Sequence, residues 1–502
     1  MAAFVLAPQR VRSALMRGLT CLVALAVFAF PIAVPVPAVA VPTLPVGFTI
    51  ESLGDLGNPI AMAFTPDGRL LVTDRFNGQV VCFVDDVRQF PEVIDFDTNV
   101  CRERGLLGIA VDPNFEQNGY VYVFMSLSSL PGEQSLGTRI IDNRIVRFTM
   151  AGNVAMPGSE TLIRALPTSV LSCSHVGGNL HFAPDDTLLV TYGDSETNPS
   201  PALSKLDLRG KLLRLDPSTG GAAPGNLWVK DGDPNTAGEI YSYGLRNSFD
   251  FTIHPNGKIY ATENSNFVHD EINLLVEGRE YGWPEVEGWA DLVDEQLYAV
   301  THPAYTDPLW TSGDTTICPT GIEPVARSDW GSILGDGLLF GQCNQGYKIS
   351  VLPLNASGTA AAGPATVFAN FDGPVIDLLF DSENHLYVTT FPTLYKITKL
   401  PTTGVPNAPV TGLALAHAGA HPRAGGASIR VTGIAAAGAR LSIRDVTGRL
   451  VRAYPLAEWS DGSAVVQWDG RDRSGRDVAA GVYFAQVGTA REKSSLPIVL
   501  LR

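Results

Sequence analysis

One short pattern recurs along most of this chain and limits what it can fold into. A tight turn carrying Asp or Asn, often with Gly, runs straight into an apolar strand. It reads TPDGRLLVTD from Thr65, DPNFEQNGYVYVFMS from Asp112, APDDTLLVTYGD from Ala183, HPNGKIYATEN from His254, LGDGLLFGQC from Leu334 and DSENHLYVTTF from Asp381. Asp/Asn-Gly pairs take up the positive-φ turn, and the β-branched and aromatic residues that follow suit a pleated strand. Six copies at about 60 residues each imply six small antiparallel sheets that must hide their edges from one another. Radial repetition does so. The pattern predicts an all-β chain with a six-bladed β-propeller over residues 45–400; a large β-sandwich is the alternative such strands allow. Uneven spacing places insertions on one face.

After LYKITKL the texture changes. PTTGVPNAPVTG reads as a linker over 401–412. Residues 413–502 then alternate in short strands broken at DVTGR, WDGRDRSGR and AAGVY, the pattern of a small Ig-like β-sandwich. Asp445-Val446-Thr447-Gly448-Arg449, Trp468-Asp469-Gly470 and Gly481-Val482-Tyr483 resemble the recurring motifs of FlgD-type Ig-like modules. That resemblance implies a cell-surface or sorting module without chemistry of its own.

Arg10, Arg12 and Arg17 precede an apolar run that ends at the small-residue triplet Ala38-Val39-Ala40, so residues 1–40 read as a cleaved signal peptide. Pro31, Pro35 and Pro37 interrupt the run and argue against a permanent anchor. The formal charge is −15, and loss of the leader arginines makes the chain more acidic still. Such a chain repels phosphate backbones and anionic lipid, which disfavours nucleic acid and membrane partners and leaves neutral substrates and bound cations. In an exported protein the five cysteines beyond Cys21 can form disulfides. Sequence proximity suggests Cys82–Cys101 and Cys318–Cys343, with Cys173 left over; no spacing is a zinc pattern.

Three stretches could carry chemistry. In HVGGNLHFAPDDTLLVTYGD, His175 stands before two glycines where backbone can approach a ligand, and Asp194 closes the following strand. A carboxylate beside an imidazole orients it and raises its basicity; the plainer reading is a turn histidine and a loop aspartate. In the run from Tyr241 to Pro284, GLRN offers Arg246 and Asn247, a guanidinium fork that can grip carboxylates or a quinone oxygen or pair with an acid between blades. ENSNFVHDEIN gathers Glu263, Asn264, Asp270, Glu271 and Asn273, oxygen donors that suit Ca²⁺ or cap a turn. ERGLLGIAVDPNF puts Glu103 and Arg104 before a buried strand, which by itself reads as an ion pair at a blade start.

Together ERGLLGIAVDPNF, HVGGNLHFAPDDTLLVTYGD, GLRN and DEINLLVEGREYGWP resemble, in order and spacing, the glucose/sorbosone dehydrogenase family of soluble PQQ-dependent sugar dehydrogenases and their relatives. The resemblance covers roughly residues 45–400. It implies a six-bladed propeller in which His175 takes the proton of a sugar C1 hydroxyl while hydride passes to PQQ, and Asp194 orients that histidine. It implies that Arg246 and Asn247 bind the quinone, with Glu103 as a further cofactor contact. It also implies Ca²⁺ at the loop around Ser265 and Asn266, next to Asp270 and Glu271. Three departures stand out. Ser265-Asn266 replaces the family's usual Gly-Pro, and the last blade reads GPVIDLLF, with Pro374 and Ile376 where the family has arginines that meet PQQ carboxylates. Asn344 stands where a further basic residue is expected. The resulting expectation is an exported quinoprotein that oxidises an aldose-type sugar or related alcohol with PQQ and Ca²⁺ and passes electrons to a soluble acceptor. A non-catalytic binding propeller and a calcium-dependent propeller hydrolase are the alternatives.

Overall fold

The computed structural model describes residues 42–130, 137–232, 234–400, 414–417, 423–432, 440–445, 449–455, 463–488 and 493–501. The expected signal peptide and the linker at 401–412 lie outside the described residues. Two compact units are present, one ending at Leu400 and one beginning at Pro401.

The first unit is built from six antiparallel sheets of four or five strands. The innermost strand of each is, in order, Pro59–Phe64, Leu106–Val111, Gly177–Phe182, Ser248–Ile253, Pro319–Pro324 and Val375–Phe380. Each packs on the next, and the sixth packs on the first, so the sheets are the blades of a closed six-bladed propeller. The ring is sewn shut by Phe48–Asp55, which pairs with Thr393–Lys399 as the outermost strand of blade 6. This leaves neither end of the ring with an open edge.

The recurring sequence pattern is the first turn and second strand of each blade. Second strands such as Leu70–Asp74, Leu188–Tyr192 and Ile259–Glu263 are buried at every residue, because neighbouring blades cover both faces. That is why they read as continuous apolar runs rather than alternating ones. The turns share one geometry: Thr65 N–H donates to Arg69 O, Ala183 to Thr187, His254 to Lys258 and Asp381 to His385. The positive-φ position falls on Gly68 or Gly257 in two of these and on Asp186 or Asn384 in the others, residues that tolerate the left-handed region.

At the start of every innermost strand the register with the second strand slips by a residue or more, as at Gly177/Leu180 and Ser248/Phe251. Such bulges bend a strand and re-aim its side chains. Six of them at one end of the axis give that end its cavity. Toward the other ends of these strands, Asp250, Glu323 and Asp377 line a smaller cavity of about 310 Å³. Burial pushes the Glu323 carboxyl up to about 7 and raises Asp377 as well. The folded protein therefore holds protons on these groups that the unfolded chain releases near its ordinary carboxylate range. Stability is expected to fall as pH rises from about 4.5 through about 7. Denaturant midpoints measured across that window should decline, and Glu323→Gln should flatten the decline.

The disulfides correct one expectation. Cys101 bonds Cys173 across 72 residues, and Cys318 bonds Cys343 as expected. Among the described residues the free thiol is Cys82, fully buried in the third strand of blade 1. A cysteine packed inside a blade cannot reach the loop that carries Cys101, whereas the loops entering blades 2 and 3 lie side by side.

In the second unit one sheet is formed by Ala414–His417, Ala427–Thr432 and Ser463–Trp468, and a five-stranded sheet has Gly481–Gly488 at its centre. Ile429, Val431, Ile443, Trp468, Ala485 and Ile498 share one core between them, an Ig-like sandwich. The quoted motifs hold its turns and core: Asp445 Oδ1 accepts Arg449 N–H at 3.0 Å, and the Trp468 ring meets Tyr483 edge-on at 5.1 Å. Among the described residues no helix is long and apolar enough to cross a membrane.

Candidate active site

His175 sits in the loop that enters blade 3, itself in the left-handed region at φ 54°. The glycines after it are required by packing. A Cβ on Gly178 would lie 2.5 Å from the Phe124 ring of blade 2, so only glycine lets this strand close on its neighbour and carry His175 to the axis. Asp194 follows the second strand of the same blade. Ser195 N–H donates to His175 O and Asp194 N–H to Arg246 O, which ties the loops of blades 3 and 4 together.

The two side chains meet: His175 Nδ1 and Asp194 Oδ1 are 2.7 Å apart and both are buried. Asp194 Oδ1 also accepts Glu196 N–H, and Oδ2 accepts Trp283 Nε1–H at 2.8 Å and Ser200 Oγ–H at 2.9 Å. Burial pushes this carboxyl up, but the His175 contact and the other donors outweigh it and hold it below the usual carboxylate range. An ionised Asp194 accepts Nδ1–H, so Nε2 of the neutral ring keeps its lone pair.

Glu103 Oε2 accepts the backbone N–H of His175 at 2.7 Å and Asn247 Nδ2–H at 3.3 Å, joining blades 2, 3 and 4. Glu263 lies beneath: its Oε1 accepts the N–H groups of Arg246 and Asn247, and its Oε2 accepts Ser248 Oγ–H at 2.6 Å. Burial pushes Glu263 up to about 7. Arg246 Nη1 donates to Asn264 O at 2.8 Å and Nη2 to Asn266 Oδ1 at 3.5 Å, while the guanidinium lies 5.3 Å from the centre of the Trp283 ring. Its Nε is buried without a partner. A cavity of about 460 Å³ opens here, lined by His175, Glu103, Arg246, Asn247, Ser265 and Asp270 on its polar side. Leu107, Val176, Phe249, Ile376 and Phe391 line its apolar side.

The expected oxygen cluster is arranged differently from a cage of carboxylate ligands. Asp270 Oδ1 accepts Ser265 N–H, and its Oδ2 accepts the N–H groups of Ile317 and Cys318 at 2.7 and 2.9 Å. Glu271 is buried, bonded by Gly288 N–H and Asn273 Nδ2–H, and pushed up to about 8. Both carboxyls hold loops. Among the described residues no group of three or more His, Cys, Asp or Glu side chains gathers to hold a metal.

Among the described residues Arg104 makes no ion pair. It is 1% exposed, and its guanidinium donates to the carbonyls of Gly137, Ser169 and Ser172 around the Cys101–Cys173 bridge. Glu263, read in sequence as a candidate cation donor, instead supports Arg246 and Asn247; Trp283, Ser200 and Arg75 also belong to the site or its support, although local sequence did not single them out for it. The signal for Trp283 is present in YGWP; Ser200 and Arg75 carry no local mark.

A family model described as glucose/sorbosone dehydrogenase matches residues 56–393, most of the propeller. The chain belongs to the glucose/sorbosone dehydrogenase family. A FlgD Ig-like domain model matches residues 422–493. Among curated relatives of this family member, quinoprotein glucose dehydrogenase B of Acinetobacter calcoaceticus is 29% identical over 267 residues, 48% of this chain and 52% of that protein. Aldose sugar dehydrogenase YliI of Escherichia coli is 28% identical over 244 residues, 48% of this chain and 62% of that protein. The chain thus spans about half to two thirds of the length of these two relatives. Among solved structures, the PQQ-bound aldose sugar dehydrogenase of Streptomyces coelicolor aligns with a TM-score of 0.56 at 23% identity, covering 71% of this chain and 99% of that one. The apo form of the soluble Escherichia coli aldose sugar dehydrogenase aligns with a TM-score of 0.58 at 21% identity, covering 70% and 99%. At these identities the two structures speak for the fold.

Proposed function

We propose that this protein is an exported quinoprotein that oxidises the C1 hydroxyl of an aldose-type sugar, or a related alcohol. The observation that carries this reading is the His175–Asp194 pair, 2.7 Å apart, beside an arginine with an unsatisfied Nε at one cavity. PQQ bound in that cavity would supply the acceptor for the hydride that leaves C1. The residues present suit it: apolar walls for a flat ring system and Arg246 for a quinone oxygen.

In this reading Nε2 of His175 takes the hydroxyl proton as the C1–H electron pair departs, leaving a C1 carbonyl. Asp194 stabilises the imidazolium that results. Arg246, positioned by Glu263 and Trp283, would polarise the acceptor oxygen, and Asn247 and Glu103 would hold the cofactor edge. Ca²⁺ would be held by the backbone carbonyls of Ser265 and Asn266, since Asp270 and Glu271 are committed to the loop. Two disulfides support an oxidising compartment, and thus export with release of electrons to a soluble acceptor there.

The test is reconstitution. Purified protein given PQQ and Ca²⁺ is expected to show saturable PQQ binding by calorimetry, a raised melting temperature and reduction of a dye by one or more aldoses. Absence of both binding and dye reduction over a broad sugar panel would falsify the proposal.

A further inference from the structure

Blade 6 presents no charge to the cavity. Pro374, Ile376 and Phe391 form its wall there. A cofactor with three carboxylates needs cations, and among the described residues the lysine and arginine side chains that line the cavity are Arg246 and Arg75. Arg75 has no place in the site as the motifs define it. It follows the second strand of blade 1 and is half-buried.

Its position is built rather than incidental. Gly105, at φ 146°, opens the way for it: a Cβ there would lie 2.4 Å from Arg75 Cγ. Nε donates to Asn58 Oδ1 at 2.7 Å, Nη1 donates to Arg102 O, and the guanidinium lies 4.2 Å from the centre of the Phe76 ring. Nη2 makes no hydrogen bond among the described residues. No acid there lies within ion-pair distance of Arg75; Glu103 and Asp74 attract it from farther away, and Glu103 is also bonded by His175 N–H and Asn247. A positioned guanidinium with a spare N–H edge, no direct ion pair among the described residues and a place on the cavity wall can receive a carboxylate.

We propose that Arg75 of blade 1 anchors a cofactor carboxylate in this protein, in place of the cations that blade 6 lacks. The inference rests on the quinoprotein reading above. It turns the anionic edge of the ligand toward blade 1 and leaves its apolar face against Ile376 and Phe391.

PQQ binding, measured by calorimetry and absorbance in the presence of Ca²⁺ and at several salt concentrations, tests it without any assay of turnover. Arg75→Gln is expected to weaken PQQ binding about tenfold or more and to flatten the salt dependence, since one charge-assisted contact is lost. Arg75→Lys keeps the charge but not the planar fork and should bind between the two. Ile376→Arg, added to Arg75→Gln, should restore most of the affinity by returning a cation to blade 6. Melting temperatures without PQQ show whether each variant is folded; if the glutamine variant is not, the lysine variant decides. If wild-type protein binds PQQ and the folded Arg75 variants bind it within twofold with an unchanged salt dependence, the anchor is overturned and the quinoprotein reading stands. If wild-type protein does not bind PQQ, that reading falls and the anchor with it.

Discussion

His175→Ala is expected to lower kcat for sugar oxidation by about 10²–10⁴-fold, the usual worth of a positioned general base. PQQ affinity should change little, because no cofactor contact is assigned to the imidazole. The effect originates at Asp194. Its carboxylate is buried, ionised and fully bonded, by His175 on one oxygen and by Trp283 and Ser200 on the other. It can hold the ring in one tautomer and stabilise its protonated form, so the basicity resides at Nε2. Asp194→Asn should therefore resemble the histidine variant in kcat although the base is still present, because an amide can present an N–H to Nδ1 and favour the wrong tautomer. The assay is steady-state dye reduction by protein loaded with PQQ and Ca²⁺. A His175→Ala protein that keeps near wild-type kcat would exclude this residue as the base.

Arg104→Leu is expected to destabilise the propeller by about 3–5 kcal/mol, a large fraction of the stability of an ordinary domain. Arg104 is fully buried, and its guanidinium satisfies the carbonyls of Gly137, Ser169 and Ser172. Burial lowers its pKa, but an arginine remains charged in the folded state. Leucine fills part of the volume and leaves those acceptors without a donor, each at about 1–3 kcal/mol when cut off from water. Arg104→Lys should recover part of the loss, since one ammonium cannot reach every acceptor the fork serves. Denaturant midpoints and slopes, compared with wild type under oxidising conditions, measure the effect. The same loop carries His175 at its end, so surviving Arg104→Leu protein should also turn over more slowly than its folded fraction accounts for.

Much of the candidate site's geometry was legible in short motifs. His175 and Asp194 stand at the two ends of one β-hairpin, and a hairpin returns its ends to the same rim, so 19 residues of separation became a hydrogen bond. Arg246 and Asn247 enter blade 4 at the same end of the axis for the same reason. The loop expected to hold Ca²⁺ was harder to read. Asp270 and Glu271 look like ligands in sequence because carboxylates are good ligands, yet a carboxylate can equally accept backbone N–H groups, and only the neighbouring chain decides which. At Asp270 the deciding neighbours are Ile317 and Cys318, brought in from blade 5. Arg104 shows the same ambiguity: beside Glu103 it reads as half of an ion pair, but its partners are carbonyls from segments more than 30 residues away.

What the sequence determined by itself was whatever is repeated or local. Each blade is a meander of neighbouring strands, so turn chemistry and apolar runs suffice to specify six of them, and the tail's alternating strands and turns specify a sandwich in the same way. The tertiary structure alone decided what meets at the axis. It joined Cys101 to Cys173 rather than to Cys82, placed Trp283 between Asp194 and Arg246, and brought Arg75 from blade 1 to a wall that blade 6 leaves uncharged. The physical reason is geometric. Closing six blades into a ring brings loops together that are tens to hundreds of residues apart, and no local preference of a chain records which of its loops will face one another across the axis.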